Sequence, residues 1–179
     1  MTEVGKKDLN KSTLYLILYF IEKLDGVLGR THLQKLLFLT DLMSTKKIKE
    51  TITELEYQKY AYGPYCEEVS NYIEELSQND LIEEKVFPFY NDMSKKYARY
   101  YLKKKVSIRE KVKEFFGLEK MMIIDEVIQS YGNISLQTLL DIVYDLQIVK
   151  DTELCKPLKM AEKDSEDNNE SEGEVDLPF

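Results

Sequence analysis

The apolar positions between residues 65 and 76 predict a helix around which the rest of the chain is organised. Apolar side chains recur there at helical spacing and share one face: Tyr65, Val69, Tyr72, Ile73 and Leu76. We expect the helix to begin at Pro64, because the φ angle of proline suits a first helical position and its missing N–H needs no partner there. Asn79 and Asp80 favour a left-handed residue at the end of this helix.

A second amphipathic stripe lies upstream and predicts the helix against which the first one packs. Thr31 and Gln34 have the spacing of a capping box, in which the two side chains would satisfy free amides at the start of the helix. The stripe then follows at helical spacing: Leu33, Leu36, Leu37, Thr40 and Met43. We expect the two apolar faces to be buried against each other.

Two further elements are predicted before the hairpin region. A first helix would be capped by Ser12 or Thr13, would contain the apolar run of residues 14–21 and would end near Gly26. A short strand is expected at about residues 56–62.

After these elements the chain predicts a β-hairpin and more helices. Residues 81–87 and 96–102 alternate imperfectly between apolar and polar positions, which favours two antiparallel strands. Three helices should follow: residues 107–116 behind a Ser107 capping box, residues 119–131 ending at Gly132, and a helix capped by Ser135 with Leu136, Leu139, Leu140 and Val143 as its buried face.

These elements predict a mainly α fold of the α+β class, which is a compact helical domain with one small β-hairpin. The order of helix, helix, helix and hairpin resembles that of a winged helix. We expect the domain to occupy residues 1–155. Residues 156–179 lack apolar periodicity and are rich in Glu, Asp, Asn and Ser, so we expect a disordered acidic tail.

Three blocks of the sequence follow one another in an order typical of one protein family. They are residues 33–39, which include Leu33, Gln34, Lys35 and Leu36; then Tyr62, Gly63, Pro64 and Tyr65; then residues 131–144. Over roughly residues 10–150 the chain resembles the Panacea or SocA-like antitoxins, whose relatives are often labelled phage-associated or YwgA-like proteins. It departs from their pattern in having no Trp after the last block. The resemblance implies a non-enzymatic antitoxin or adaptor that binds a protein partner such as a cognate toxin.

The acidic charge of the chain is concentrated at its C-terminus. The net charge is −8, and residues 161–179 alone contain eight acidic residues and one basic residue. The rest of the chain is therefore nearly neutral.

The chain ends in Asp176, Leu177, Pro178 and Phe179, which we call the C-terminal tip. It resembles the acidic tip of bacterial single-stranded DNA-binding proteins, although Val175 stands where an acid is usual. A terminal Phe presents a ring and a free α-carboxylate together, so a pocket with an apolar floor and a basic rim can hold both. The resemblance implies docking on replication or repair proteins with such pockets. The alternative is a solubilising tail that ends in these residues by coincidence.

The predicted hairpin interleaves aromatic residues with cations, which is a pattern found at nucleic-acid interfaces. The candidate contacts are Lys95, Lys96, Arg99, Lys103, Lys104 and Lys105. The alternative is a half-buried hairpin with aromatic rings in the core and lysines in water. The predicted recognition helix contains Glu67, Glu68, Glu74 and Glu75 and no basic residue, and this argues against sequence-specific DNA binding. A winged-helix-like regulator that uses residues 87–105 is the alternative function.

No motif in the sequence indicates a catalytic nucleophile, a metal site or a phosphate-binding loop. The single histidine, His32, stands in the first turn of a predicted helix, where a polar or packing role is expected. Cys66 and Cys155 have no CxxC spacing, which fits a reducing cytoplasm. The N-terminus is polar, and the longest apolar run is far shorter than the roughly twenty residues that span a bilayer. We therefore expect a cytoplasmic protein with no cofactor, metal or catalytic residue and no membrane contact.

Overall fold

The computed structural model describes residues 9–90, 92–104 and 107–160 of the 179-residue chain. Its elements are α1 (Lys11–Lys23), α2 (Gly29–Ile48), β1 (Gln58–Tyr60), β2 (Gly63–Tyr65), α3 (Glu68–Gln78), β3 (Ile82–Phe89), β4 (Asp92–Leu102), α4 (Arg109–Tyr131), α5 (Leu136–Asp145) and α6 (Gln147–Asp151). Strands β1 and β2 pair antiparallel, as do β3 and β4. The described chain is thus mainly helical with two small two-stranded sheets, which confirms the predicted fold class.

Helix α2 is the centre of the core. Every residue from His32 to Thr45 is buried, and the helix packs against α3, α4, α5, β2 and β4. Helix α3 buries the predicted face Val69, Tyr72, Ile73 and Leu76, and it contacts α2 as expected. Helices α4 and α5 cover other sides of α2, so the core is larger than the predicted pair of helices.

The burial of residues 32–45 in α2 includes polar side chains, and three of them bond to the backbone of distant segments. Asp41 accepts hydrogen bonds from the backbone N–H groups of Ile52 and Thr53 at 2.8 and 2.7 Å and from the Tyr57 hydroxyl at 3.3 Å. Burial raises the pKa of the Asp41 carboxyl to about 6. The side chain therefore ties the loop after α2 to the core.

The predicted helix start at Pro64 is wrong. Gly63 has a φ of +79°, and Pro64 pairs with Lys59 in the β1–β2 ladder. Helix α3 begins only at Glu68, and Tyr65 lies in β2 outside the helix. The local preference of proline for a first helical position is overridden here by strand pairing.

Three predicted helix caps are also wrong. Helix α1 is capped by Asn10, which accepts a hydrogen bond from the backbone of Ser12 at 2.9 Å. No side chain caps α2: the helix begins at Gly29, so Thr31 lies inside it, and Gln34 bonds to Cys66 and not back to the helix start. No side chain caps α4 either, so Ser107 does not form the predicted box.

Other boundaries are confirmed. Asn79 and Asp80 end α3, and Asp80 has a left-handed φ of +59°. Gly117 interrupts the long helix α4 with a φ of +74°, close to the predicted break between two helices. Ser135 caps α5 by accepting a hydrogen bond from the backbone N–H of Thr138 at 3.0 Å.

Both sheets are fastened to neighbouring segments. The predicted hairpin forms as β3–β4, and Tyr100 of β4 exchanges backbone hydrogen bonds of 3.0 and 2.9 Å with Val27. Strand β1 is flanked by the C-terminal end of the described chain, where the backbone N–H of Leu158 bonds to the Tyr57 carbonyl at 2.8 Å.

The described helices are all too short or too polar to cross a membrane. Residues 161–179 of the predicted acidic tail, which include the C-terminal tip, lie outside the described residues, as does Lys105.

Candidate interaction site

The first two sequence blocks meet through a buried lysine. Lys35 is 1 % exposed, and its Nζ donates a hydrogen bond to the carbonyl of Pro64 at 2.6 Å. Burial lowers the pKa of this ammonium group to about 8. Lys35 therefore links the centre of α2 to strand β2.

Gln34 forms a second link beside the first. Its Nε2 donates to the carbonyl of Cys66 at 3.2 Å, and its Oε1 accepts from the Cys66 backbone N–H at 3.4 Å. The side chain thus satisfies both polar groups of a buried backbone position, as a neighbouring strand would. Together Gln34 and Lys35 fix the path of residues 64–66.

The third block reaches the same place from α5. The hydroxyl of Tyr144 donates a hydrogen bond to the carbonyl of Ala61 in the turn between β1 and β2. A Cβ atom at Gly63 would lie 3.4 Å from Val143 Cγ1, and the φ of +79° at this position favours glycine. All three sequence blocks therefore converge on one short hairpin.

This hairpin presents aromatic side chains to solvent. We call residues 58–65 the tyrosine hairpin; the exposed fractions of Tyr60, Tyr62 and Tyr65 are 51 %, 68 % and 36 %. The rings of Tyr60 and Tyr65 lie 5.4 Å apart. Tyrosine is enriched at protein interfaces, where its ring is buried and its hydroxyl finds a partner. The arrangement is suited to protein binding.

Sequence reasoning placed Tyr62, Tyr65 and Tyr144 in the family blocks, but it did not predict that the tyrosines at positions 60, 62 and 65 are exposed together. The tyrosines at positions 60, 62 and 65 are close together in the sequence, and this clustering could have identified the exposed set. Tyr144 bonds to Ala61, which lies 83 positions away in the sequence, so no local signal could have predicted this contact.

The cations of the β3–β4 hairpin, by contrast, have partners within the protein. Lys103 forms an ion pair with Asp80, and Lys95 lies 3.4 Å from Asp92. Arg99 donates to the carbonyl of Gly26 at 3.1 Å. The remaining described candidates, Lys96 and Lys104, are exposed. These contacts reduce the number of cations available to phosphates.

The other residues considered for chemistry are placed as follows. His32 is buried, and burial lowers its pKa to about 4. Cys66 is buried and Cys155 is exposed, and neither forms a disulfide. Within residues 9–90, 92–104 and 107–160 no group of His, Cys, Asp and Glu side chains could hold a metal ion.

Comparison with known proteins identifies the domain that carries these blocks. Residues 33–148 match the sequence model of the family described as antitoxin SocA-like, Panacea domain. Searches of curated proteins and of solved structures gave no match. The matched region spans well over half of the chain and includes most of α2 and all of the tyrosine hairpin. The chain therefore belongs to the SocA-like antitoxin family and carries its Panacea domain.

Proposed function

We propose that this chain is a non-enzymatic antitoxin or adaptor that binds a partner protein, such as a toxin, on its tyrosine hairpin. Membership in an antitoxin family supports a general antitoxin or adaptor role. Our proposal that the partner binds on the tyrosine hairpin rests on one observation: three tyrosines are exposed on a hairpin that Lys35 and Gln34 hold in place.

Two physical properties favour this surface as a binding site: the large contact area of the tyrosine rings and their fixed position before a partner binds. A tyrosine side chain offers a large contact area and loses little conformational entropy, since it has only two χ angles. Because the buried side chains below fix strand β2, Tyr65 and its neighbours are positioned before a partner arrives. Positioning of this kind lowers the entropy cost of association.

We propose a second contact through the C-terminal tip. Its terminal ring and α-carboxylate suit the basic-rimmed pockets by which replication or repair proteins bind single-stranded DNA-binding protein tips. The acidic residues upstream would speed the encounter with a basic partner. The chain would then hold one protein on its folded body and another at its end.

An affinity-capture experiment with three full-length baits tests both contacts. The baits are the native chain, a hairpin variant that combines Tyr60→Ser with Tyr62→Ser, and a chain lacking Phe179. Mass spectrometry then compares the proteins that each bait retains from a lysate of the source cells. We expect one partner to disappear only with the hairpin variant and another only with the chain lacking Phe179.

A matched control separates loss of the surface from loss of the fold. Tyr90 is 99 % exposed in the turn after β3, so Tyr90→Ser removes an exposed tyrosine elsewhere and should retain every partner. Retention of the same proteins by the hairpin variant and the native chain would refute the tyrosine hairpin as the binding surface.

A further inference from the structure

A cavity of about 710 Å³ lies between the N-terminus of α2, strand β4 and the turn from α4 into α5. None of the residues of the tyrosine hairpin lines it. Its lining includes Arg30, His32 and Arg99 but neither Asp nor Glu. A cavity of this volume suits a small ligand or the end of a peptide, and the charge of its lining favours an anionic one.

Two residues that line this cavity have a buried N–H group that forms no hydrogen bond within the described part of the chain. Nδ1 of His32 accepts a hydrogen bond from the backbone N–H of Leu28 at 3.3 Å, so the neutral ring carries its proton on Nε2. Burial lowers the pKa of His32, and the nearby Tyr131 carbonyl offsets only part of this effect. Nε2 of His32 and Nε of Arg99 are both buried without a hydrogen-bond partner. Because both atoms donate, the group that would complete the site is an acceptor.

The backbone at the start of α2 contributes to the same site. Residues 28–32 line the cavity, and the N-cap residue Leu28 has no side-chain acceptor for the first free amides. Free amides and the dipole at a helix N-terminus favour a negatively charged group. The cavity therefore offers backbone and side-chain donors to one anion.

The rest of the lining is apolar. The rings of Phe89 and Tyr97 meet edge to face at 5.2 Å, and Leu136 and Leu140 of α5 also line the cavity. Such a surface binds hydrocarbon or an aromatic ring. The ligand that fits both parts carries an anionic group next to an apolar body.

We infer that this cavity binds the C-terminal tip of the same chain. The α-carboxylate of Phe179 would accept from Arg99 and His32, and its ring would lie against Phe89 and Tyr97. A docked tip would be withheld from other proteins until it is displaced. This contact goes beyond the proposed function and does not depend on it.

Chain length and charge both allow the contact. Nineteen residues follow Met160, the last described residue. Fully extended, that many residues span about 65 Å, whereas a domain of this size is roughly 40 Å across. The eight acidic residues of this stretch would be attracted to a cavity that has arginines and no carboxylate in its lining.

Peptide titration into the full-length chain tests the inference. A labelled peptide with the sequence of residues 174–179 is titrated, with fluorescence anisotropy as readout, into the native chain and into a chain lacking Phe179. The native chain should bind it at least about tenfold more weakly, because its own tip competes at a high effective concentration. Equal affinity for both chains, or no binding to the chain lacking Phe179, would overturn the inference.

Variants and a modified peptide locate the contact. In the chain lacking Phe179, Arg99→Gln should weaken binding by about tenfold, as expected for a lost charge-assisted hydrogen bond. Lys96→Gln removes the same charge from the same strand outside the cavity and should have no effect. Arg99 also donates a hydrogen bond to the Gly26 carbonyl, so Arg99→Gln could weaken binding by disturbing the fold. A second variant, Gln137→Glu, places a negative charge at an exposed position of the cavity lining and should also weaken binding.

The peptide with a C-terminal carboxamide should bind about tenfold more weakly than the free carboxylate. Equal binding of the two peptides would overturn the assigned role of the α-carboxylate. Displacement of the peptide by an equal concentration of inorganic phosphate would show a simple anion site and would also overturn the inference.

Discussion

The Nζ atom of Lys35 lies 2.6 Å from the carbonyl oxygen of Pro64 and holds the tyrosine hairpin to the buried centre of the domain. No carboxylate in the described residues forms an ion pair with this lysine, and burial alone accounts for its lowered pKa. A buried ammonium group without an ion-pair partner lowers the stability of the folded chain, but its hydrogen bond fixes the position of strand β2. The surface that we propose for partner binding therefore depends on a residue that no partner touches.

Lys35→Met should change how stability depends on pH. The pKa of Lys35 is lowered from 10.5 to about 8 in the folded chain. Between these values the unfolded chain binds more protons, so the Lys35 contribution to the free energy of unfolding rises with pH, on the order of 1–3 kcal/mol. Below pH 8 both states are protonated and the contribution is constant.

Urea unfolding of the native chain and of the Lys35→Met variant at pH 7.5 and pH 10 measures this difference. The native chain should gain stability relative to the variant at the higher pH. Parallel behaviour of the two proteins would show that Lys35 titrates normally.

Truncation of the core between α2 and α3 should be costly. Leu36 is fully buried and Ile73 is 6 % exposed, so replacing either with Ala should lower the free energy of unfolding by about 2–5 kcal/mol. Leu118→Ala is a matched control, because Leu118 is 62 % exposed and should cost less than about 0.5 kcal/mol. A denaturation midpoint that does not move for Leu36→Ala or Ile73→Ala would contradict the packing of these helices.

The sequence was informative where structure depends on neighbouring residues. The Ser135 cap, the left-handed Asp80 and the break at Gly117 all follow from side-chain or backbone preferences within a few residues. The apolar face of α3 was also predictable, because helical spacing alone determines which side chains share a face.

Long-range polar contacts could not be predicted in the same way. Three polar side chains of α2 are buried, and each bonds to the backbone of a segment 11 to 32 residues away in the sequence: Gln34, Lys35 and Asp41. Helical spacing alone identified only one apolar stripe on α2. The same cause underlies the wrong start at Pro64, since the lysine that bonds to its carbonyl lies 29 residues upstream.

The chain should show no sequence-specific binding to duplex DNA at about 0.15 M salt. Helix α3 would take the place of a recognition helix, and Glu67 at its N-cap and Glu74 within it are both exposed. Weak binding through Lys96 and Lys104 at low salt should disappear as salt rises. Gel-shift or anisotropy titrations check this, and nanomolar binding to a defined operator would favour the regulator hypothesis.

Removal of Phe179 should abolish binding to a purified repair protein that has a pocket for single-stranded DNA-binding protein tips. One ring and one ion pair suggest micromolar affinity for the native chain, about −8 kcal/mol. Val175→Asp supplies the acid that is usual in such tips and should bind at least as tightly. If calorimetry gives equal affinities with and without Phe179, the resemblance of the tip is coincidental.

Growth rescue tests the central claim most directly. The affinity-capture experiment identifies a protein that the native chain retains and the hairpin variant does not. This protein is expressed in a host strain, alone and together with each version of the chain. It should arrest growth when expressed alone, and the native chain and Tyr90→Ser should restore growth. The Tyr60→Ser and Tyr62→Ser variant should fail, since loss of interface tyrosines worth about 2 kcal/mol each weakens binding by at least roughly 30-fold. Restoration of growth by the hairpin variant as complete as that by the native chain would contradict the account.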